Sequence, residues 1–315
     1  KSTTCKLLAH LFKKNKLRYA LGGNIGNPIL NLASPYNRYV IIEASSFQLE
    51  YSKFICPDYA LFLNFSNDHL DWHGSVANYM KSKLKIFSLQ KKKHFAIINK
   101  KFKKIFLKKK FSSTPIVPSR NDYEKIKYQI KNDYLISSIN NENMSFVYTI
   151  SRLLKIKKKH FIDAMQSFKG LPHRFEMFLS KGNTTFINDS KATSFSASKY
   201  ALSSLKNIYW IIGGLPKKGD KINFKPFKNN IIKSYIIGKH INFFKKQIEG
   251  KLPFSITKNL EKSIIQILKD SKLKKNSKKF ILLSPSAASF DQFNNFERRG
   301  LEFKKLSKKY ARKLL

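Results

Sequence analysis

Residues able to handle polyphosphate stand at the start and in the first third of the chain. Lys1-Ser2-Thr3-Thr4 matches the close of a P-loop, Gly-Lys-[Ser/Thr], where the ammonium reaches the β- and γ-phosphates and the hydroxyl ligates Mg²⁺. Glu43 ends an apolar run, His69 lies in Asp68-His69-Leu70-Asp71, and Lys83 follows on a stretch of helical spacing. A carboxylate, a hydroxyl and an imidazole together can hold a divalent cation over a polyphosphate, and two such ions would neutralise charge during phosphoryl transfer. Singly, each has a plainer reading: a polar helix start, a surface acid, a hydrogen-bonded loop histidine. Their meaning depends on whether the fold gathers them.

The elements that must do so are legible as hydrophobic periodicity. Residues 5–14 read as the helix that follows a P-loop. Tyr39-Val40-Ile41-Ile42-Glu43 reads as a buried parallel strand carrying an acid at its C-terminal end, the end where open α/β sheets bind ligands. Residues 59–65 and 95–99 read as further buried strands, and 75–89 as a helix that sets Tyr79, Lys83 and Phe87 on one face. Residues 100–138 show weak alternation (Tyr123, Ile126, Tyr128, Ile130), predicting short strands and loops, before helices at 142–154 and 159–168. Gly170-Leu171-Pro172-His173 marks a boundary, beyond which strand and helix alternate afresh: strands at 184–188, 208–212, 234–238 and 279–284, helices at 194–205, 259–270 and 291–314. The expectation is an α/β chain of two domains, 1–169 and 170–315, with mainly parallel sheets.

Composition sets limits on partners. The 62 Lys+Arg against 19 Asp+Glu give a formal net charge of +43. Most of the basic residues are lysines in scattered clusters such as Lys91-Lys92-Lys93 and Lys108-Lys109-Lys110, amid abundant Asn, Ile and Phe, as an AT-biased coding sequence would produce. Such runs read as solvated faces, so no specific nucleic-acid partner is expected, although the excess charge raises the local concentration of anionic substrates. Two cysteines give neither a disulfide framework nor metal-ligand spacing, and a reducing cytoplasm is the expectation. No apolar run is long enough to span a membrane.

Six stretches resemble the Mur ligase superfamily, and within it the branch that adds D-glutamate. They are Gly23-Asn24-Ile25-Gly26, Glu43-Ala44-Ser45-Ser46-Phe47-Gln48-Leu49-Glu50, Leu63-Asn64 through Asp68-His69-Leu70-Asp71, Gly170-Leu171-Pro172-His173-Arg174-Phe175-Glu176, Asn188-Asp189-Ser190-Lys191-Ala192-Thr193, and Ser284 to Gly300. They occur in family order over nearly the whole chain. The resemblance implies a central P-loop-type ATPase domain followed by a Rossmann-like domain that binds the amino acid. It implies an ATP-dependent amide ligase of peptidoglycan synthesis, in which ATP activates the carboxylate of UDP-N-acetylmuramoyl-L-alanine as an acyl phosphate and the amine of D-glutamate displaces phosphate. A cytoplasmic monomer using ATP and two Mg²⁺ ions is implied as well.

Carried over by position, the resemblance assigns Lys1, Ser2 and Thr3 to ATP and Ser2, Glu43, His69 and a carbamylated Lys83 to Mg²⁺, with Lys1, His69 and Lys83 catalytic. Lys83 is preferred to Lys81 and Lys85 for its register with Tyr79 and Phe87. Asn140, Asn143, Arg174 and Asp189 fall at nucleotide contacts, with Ile139 where the family has histidine. Asn24 falls at a contact to the sugar-peptide, and Lys191, Thr193, Ser289, Phe296 and Lys217, ahead of Lys218, at contacts to D-glutamate. The glycines of the P-loop and the family's N-terminal uridine-nucleotide domain have no counterpart in these residues, so N-terminal truncation and weak ATP affinity are expected. The rival readings are another Mur or folylpolyglutamate-type ligase, and a non-catalytic nucleotide- or nucleic-acid-binding remnant.

Overall fold

The computed structural model describes residues 1–32, 39–65, 69–136, 140–272 and 277–314. The chain divides into two compact units, Lys1–Lys169 and Gly170–Leu315. The first contains α1 (Ser2–Lys14), β1 (Tyr19–Gly23), β2 (Tyr39–Glu43), α2 (Ser46–Tyr51), β3 (Tyr59–Phe62), α3 (Leu70–His73), α4 (Val76–Leu84), β4 (Phe95–Ile98), α5 (Lys103–Lys108), β5 (Thr114–Ile116), α6 (Arg120–Lys127), α7 (Asp133–Ile136), α8 (Asn141–Leu153) and α9 (Lys158–Gln166). The second contains β6 (Glu176–Lys181), β7 (Thr184–Asn188), α10 (Phe195–Ser204), β8 (Ile208–Gly213), β9 (Ile231–Ile237), α11 (Ile241–Ile248), β10 (Phe254–Lys258), α12 (Leu260–Lys272), β11 (Lys279–Leu283) and α13 (Phe296–Leu314).

In the first unit β1 and β2 pair in parallel, with Gly23 opposite Glu43, so the glycine turn and the acid emerge at the same edge. A separate three-stranded parallel sheet runs in the order β3-β4-β5. Helix α1 buries Leu7, Leu8, Leu11 and Phe12, a stripe at helical spacing, and carries Lys13 and Lys14 in its last turn, where cations meet the negative end of the helix dipole. Helix α2 starts on a capping box in which Ser45 accepts from the Gln48 amide and the Gln48 side chain accepts from the Ser45 amide. This fixes the chain direction two residues after Glu43.

The second unit is one six-stranded sheet, order β10-β9-β8-β11-β7-β6, parallel except for the edge pair β6-β7. Apolar clusters lie on both of its faces: Trp210, Ile212, Leu282 and Phe244 belong to one, Tyr209, Ile211, Leu283 and Phe303 to the other. Alternate residues of β8 and β11 thus serve opposite cores, which is why these strands read as unbroken apolar runs.

Several sequence expectations need correction. The helix predicted over 75–89 ends at Leu84 and tightens into a 3-10 turn at Lys85–Phe87, and the last helix starts at Phe296 rather than 291. Residues 100–136 are mainly helical instead of strands and loops. Tyr123, Ile126 and Ile130 are buried while Tyr128 is 74% exposed, so the apparent alternation was a helical face. Over so few residues, periods of 2 and 3.6 share most of their positions. Strands β6 and β10 and helix α11 had no clear signal; β6 and β10 are edge strands of mixed burial.

Candidate functional site

The first unit gathers Lys1, Asn24 and Glu43 at the end of β2. Glu43 is 3% exposed, and its Oε1 accepts from Asn24 Nδ2 at 3.2 Å and lies 4.0 Å from Lys1 Nζ. Lys1 Nζ also donates to the Ala44 carbonyl at 3.1 Å, and the Asn24 amide donates to the Glu43 carbonyl at 2.7 Å. Glu43 Oε2 is buried and has no hydrogen-bond partner among the described residues. A buried carboxylate oxygen without a partner is costly, and such an oxygen at the end of β2 is one that a cation would suit. Ser2 and Thr3 form the first turn of α1, where the positive end of the helix dipole favours an anion.

Asn140 and Asn143 join this edge by a route the sequence did not show. Neither caps α8: Asn140 Nδ2 donates to the Tyr134 carbonyl at 2.8 Å, and its Oδ1 accepts from Asn143 Nδ2 at 3.2 Å. Asn143 Oδ1 accepts from Thr4 Oγ1 at 3.1 Å, tying the start of α8 to the first turns of α1. Thr4 was not singled out in the sequence, although its position after Lys1-Ser2-Thr3 was available. Ile139, the histidine position, lies outside the described residues, as do Ser66, Asn67 and Asp68.

His69 and Lys83 meet at Tyr79. The His69 ring stands edge-on to Phe47 at 5.0 Å and to Tyr79 at 6.0 Å, and Lys83 Nζ lies 4.6 Å from the Tyr79 centroid. His69 takes a left-handed backbone, φ 53°, at the start of α3. Lys85 is committed to the Glu50 carbonyl and Lys81 points to solvent, whereas Lys83 is half-buried. His73 underpins the group: its Nε2 lies 3.0 Å from Ser46 Oγ, its Nδ1 3.3 Å from Glu50 Oε2, and its ring stacks on Phe47. Among the described residues no three of His, Cys, Asp and Glu converge as a ready metal cage. A cation at this edge would therefore complete its shell with hydroxyl, phosphate or water oxygens, as Mg²⁺ ordinarily does.

In the second unit the polar residues sit on the C-terminal edge of β7, β11 and β8. Asp189 is partly buried, and its carboxyl is pushed up to about 7, chiefly by loss of solvent. The Ser284 hydroxyl, 2.8 Å from Oδ2, the Phe175 amide, 3.1 Å from Oδ1, and the charge of Arg174 act in the opposite direction. Lys191 Nζ lies 4.0 Å from the centroid of the Phe296 ring, which brings two of the predicted amino-acid contacts together. Thr193 precedes the Ser194 cap of α10. Lys217 follows Leu215, which pairs with Ala288 through amide-carbonyl bonds of 2.9 and 3.0 Å, so its loop adjoins that of Ser289.

A parallel-sheet unit opened by a P-loop-type helix start, followed by a Rossmann-like unit, defines the class as a two-unit α/β protein. Residues 1–177 match the Mur ligase middle domain. The chain is 35% identical to the UDP-N-acetylmuramoylalanine–D-glutamate ligase of Rickettsia felis over 335 residues, covering 100% of this chain and 74% of that protein. It is 34% identical to the enzyme of the same name from Rickettsia prowazekii, covering 98% and 74%. In fold it is similar to the MurF ligase of Thermotoga maritima in complex with ADP, with a TM-score of 0.66 at 17% identity, covering 98% of this chain and 78% of that one. It is also similar to the bifunctional folylpolyglutamate synthase/dihydrofolate synthase of Yersinia pestis, with a TM-score of 0.62 at 11% identity, covering 97% and 86%. The chain belongs to the Mur ligase family and groups there with the UDP-N-acetylmuramoylalanine–D-glutamate ligases. Fold alone does not separate these branches; sequence identity does.

Proposed function

We propose that the chain catalyses ATP-dependent formation of an amide bond between UDP-N-acetylmuramoyl-L-alanine and D-glutamate. The names of its relatives support the substrates, and one observation in the chain carries the chemistry: the buried Glu43 carboxylate, held on one oxygen by Asn24 beside Lys1 and uncommitted on the other. Lys1 supplies positive charge to the phosphates of ATP, and the N-terminus of α1 adds its dipole. Asn140, Asn143, Arg174 and Asp189 contact the nucleotide, the Arg174 fork matching phosphate oxygens. The substrate carboxylate takes the γ-phosphoryl group, the D-glutamate amine attacks the acyl carbon, and phosphate leaves from the tetrahedral intermediate. Asn24 orients the sugar-peptide, while Lys191, Thr193, Lys217, Ser289 and Phe296 hold D-glutamate.

The donor set suits hard divalent cations. Ser2, Glu43, His69 and a carbamylated Lys83 would hold Mg²⁺, two ions in all, whose chemistry is to neutralise the polyphosphate and the acyl phosphate as charge builds. Carbamylation replaces the ammonium of Lys83 with an anion, which a cation site needs. Its half-buried place over Tyr79, with Lys85 spent on Glu50, supports Lys83 over its neighbours.

The test is phosphate release from ATP in the presence of UDP-N-acetylmuramoyl-L-alanine and a panel of amino acids. Release that requires D-glutamate is expected; preference for another amino acid, or no dependence on any, refutes the substrate reading. Lys83→Ala should lower kcat by roughly a hundredfold or more, as should removal of bicarbonate during refolding, because an anion at the metal edge is lost. Full activity of Lys83→Ala would sink its assignment.

A further inference from the structure

Arg299 is 1% exposed, and its guanidinium bonds two separate loops. Its Nε donates to Ser190 Oγ at 3.0 Å, and its Nη2 donates to the Ser190 carbonyl at 2.8 Å and the Ala287 carbonyl at 2.9 Å. Its Nη1 is buried without a hydrogen-bond partner among the described residues and lies beneath a third loop: a Cβ built on Gly214 would come within 3.1 Å of it. These loops follow β7, β11 and β8, three neighbouring parallel strands. They carry Lys191 and Thr193, Ser289, and Lys217. Ser190 Oγ in turn donates to the Phe296 carbonyl at 2.8 Å, closing the circuit on the first residue of α13.

Stability alone is a poor account of this group. A buried cation costs free energy that a well-packed apolar chain of similar volume would not. That cost is visible in Arg299, which loss of solvent brings down to about 10. A planar fork, however, fixes the relative height of two backbone carbonyls as an apolar chain could not, and its charge remains positive under an edge that would take a dicarboxylate.

We infer that Arg299 is the positioning residue of the amino-acid subsite, locking the loops after β7 and β11 at a fixed spacing under the loop after β8. Buried as it is, it acts through those loops and does not touch substrate. The inference rests on the reading that this edge binds D-glutamate.

The experiment measures KM for D-glutamate and for ATP in the enzyme and in Arg299→Lys, Arg299→Met, Ser190→Ala and Lys217→Ala. Arg299→Lys keeps charge and loses the fork; it should raise KM for D-glutamate about tenfold and leave KM for ATP within about twofold. Arg299→Met should raise it further. If neither variant gives a cooperative melt, Ser190→Ala, which removes only the Nε acceptor, should still raise KM for D-glutamate about threefold. An unchanged KM for D-glutamate in Arg299→Lys and Ser190→Ala beside a raised one in Lys217→Ala overturns the role of Arg299 alone. Equal rises in both KM values indicate general loosening and overturn it too. No change in Lys217→Ala overturns the amino-acid reading of the edge, and the inference with it.

Discussion

Asp189 stands just past the end of β7, where loss of solvent raises its carboxyl to about 7 against an ordinary value of 3.8. In the unfolded chain the same group ionises near 4. As pH rises from about 4 to about 7 the unfolded state is therefore favoured, and the contribution of a neutral Asp189, complete below 4, is lost by the top of that window. Integrated over it, the effect is on the order of 4 kcal/mol. Asp189→Asn removes the titration, so its unfolding free energy relative to the parent should climb as pH rises from 4 to 7.5. Urea unfolding at several pH values reads this directly, and parallel curves for the two proteins would contradict the burial argument. Glu43 is the opposite kind of buried acid: a lysine and an amide hold one oxygen while the other is left for a ligand. Glu43→Gln should abolish metal-dependent ATP turnover while changing stability little, since the amide retains an acceptor for Asn24; a metal-stimulated Gln variant would remove Glu43 from the cation site.

Strand ends set where these side chains stand. β8 closes on Gly213, φ 135°, and a Cβ there would lie 2.0 Å from the Ile237 carbonyl of the paired strand β9. Gly182, between β6 and β7, also has positive φ, at 53°, but nothing lies within 4 Å of its Cβ position among the described residues. Gly213→Ala must push β8 and β9 apart and should cost roughly 3 kcal/mol or more, with loss of ligase activity. Gly182→Ala carries only the left-handed backbone penalty, about 1–2 kcal/mol. Thermal melts of the two variants compare steric conflict with backbone strain, and similar losses would mean the β8-β9 contact can relax. At this scale the strongly apolar strands were legible, because a strand buried on both faces needs no partner to be recognised. Edge strands β6 and β10 were not, since their residues are half-covered by a neighbour that only the fold supplies.

Across the whole molecule the net charge of +43 is the dominant electrostatic fact. Some of the acids are drawn into pairs, as Asp270 is with Lys233 and Tyr235, and Glu176 with Lys304. The remaining lysines produce a long-range positive field whose reach is the Debye length, about 8 Å at physiological salt. ATP and a uridine-diphosphate substrate are both polyanions, so kcat/KM for each should fall several-fold between about 50 and 500 mM salt, with kcat nearly unchanged. Steady-state kinetics in an inert salt series would test this; a salt-independent kcat/KM would mean that the field does not steer substrate. Among the described residues no helix is long and apolar enough to cross a membrane.

The sequence by itself determined the α/β class, placed a boundary near residue 170, where the chain divides into its two compact units, and pointed to the residues proposed for the candidate edges. Apolar period and short motifs are local properties, written in consecutive positions. It pointed to Glu43 and Asp189 but could not say that one would keep an unpaired buried oxygen and the other a raised carboxyl, because both depend on what packs around them from distant elements. Asn143 reaching Thr4 across 139 positions, Lys83 meeting His69 over Tyr79, and Arg299 tying Ser190 to Ala287 belong to the tertiary structure alone. Arg299 stood in a stretch already singled out, yet its type and neighbours suggested only a basic residue on a helix. Burial, which no short window of sequence records, turned it into the centre of the second unit's polar edge.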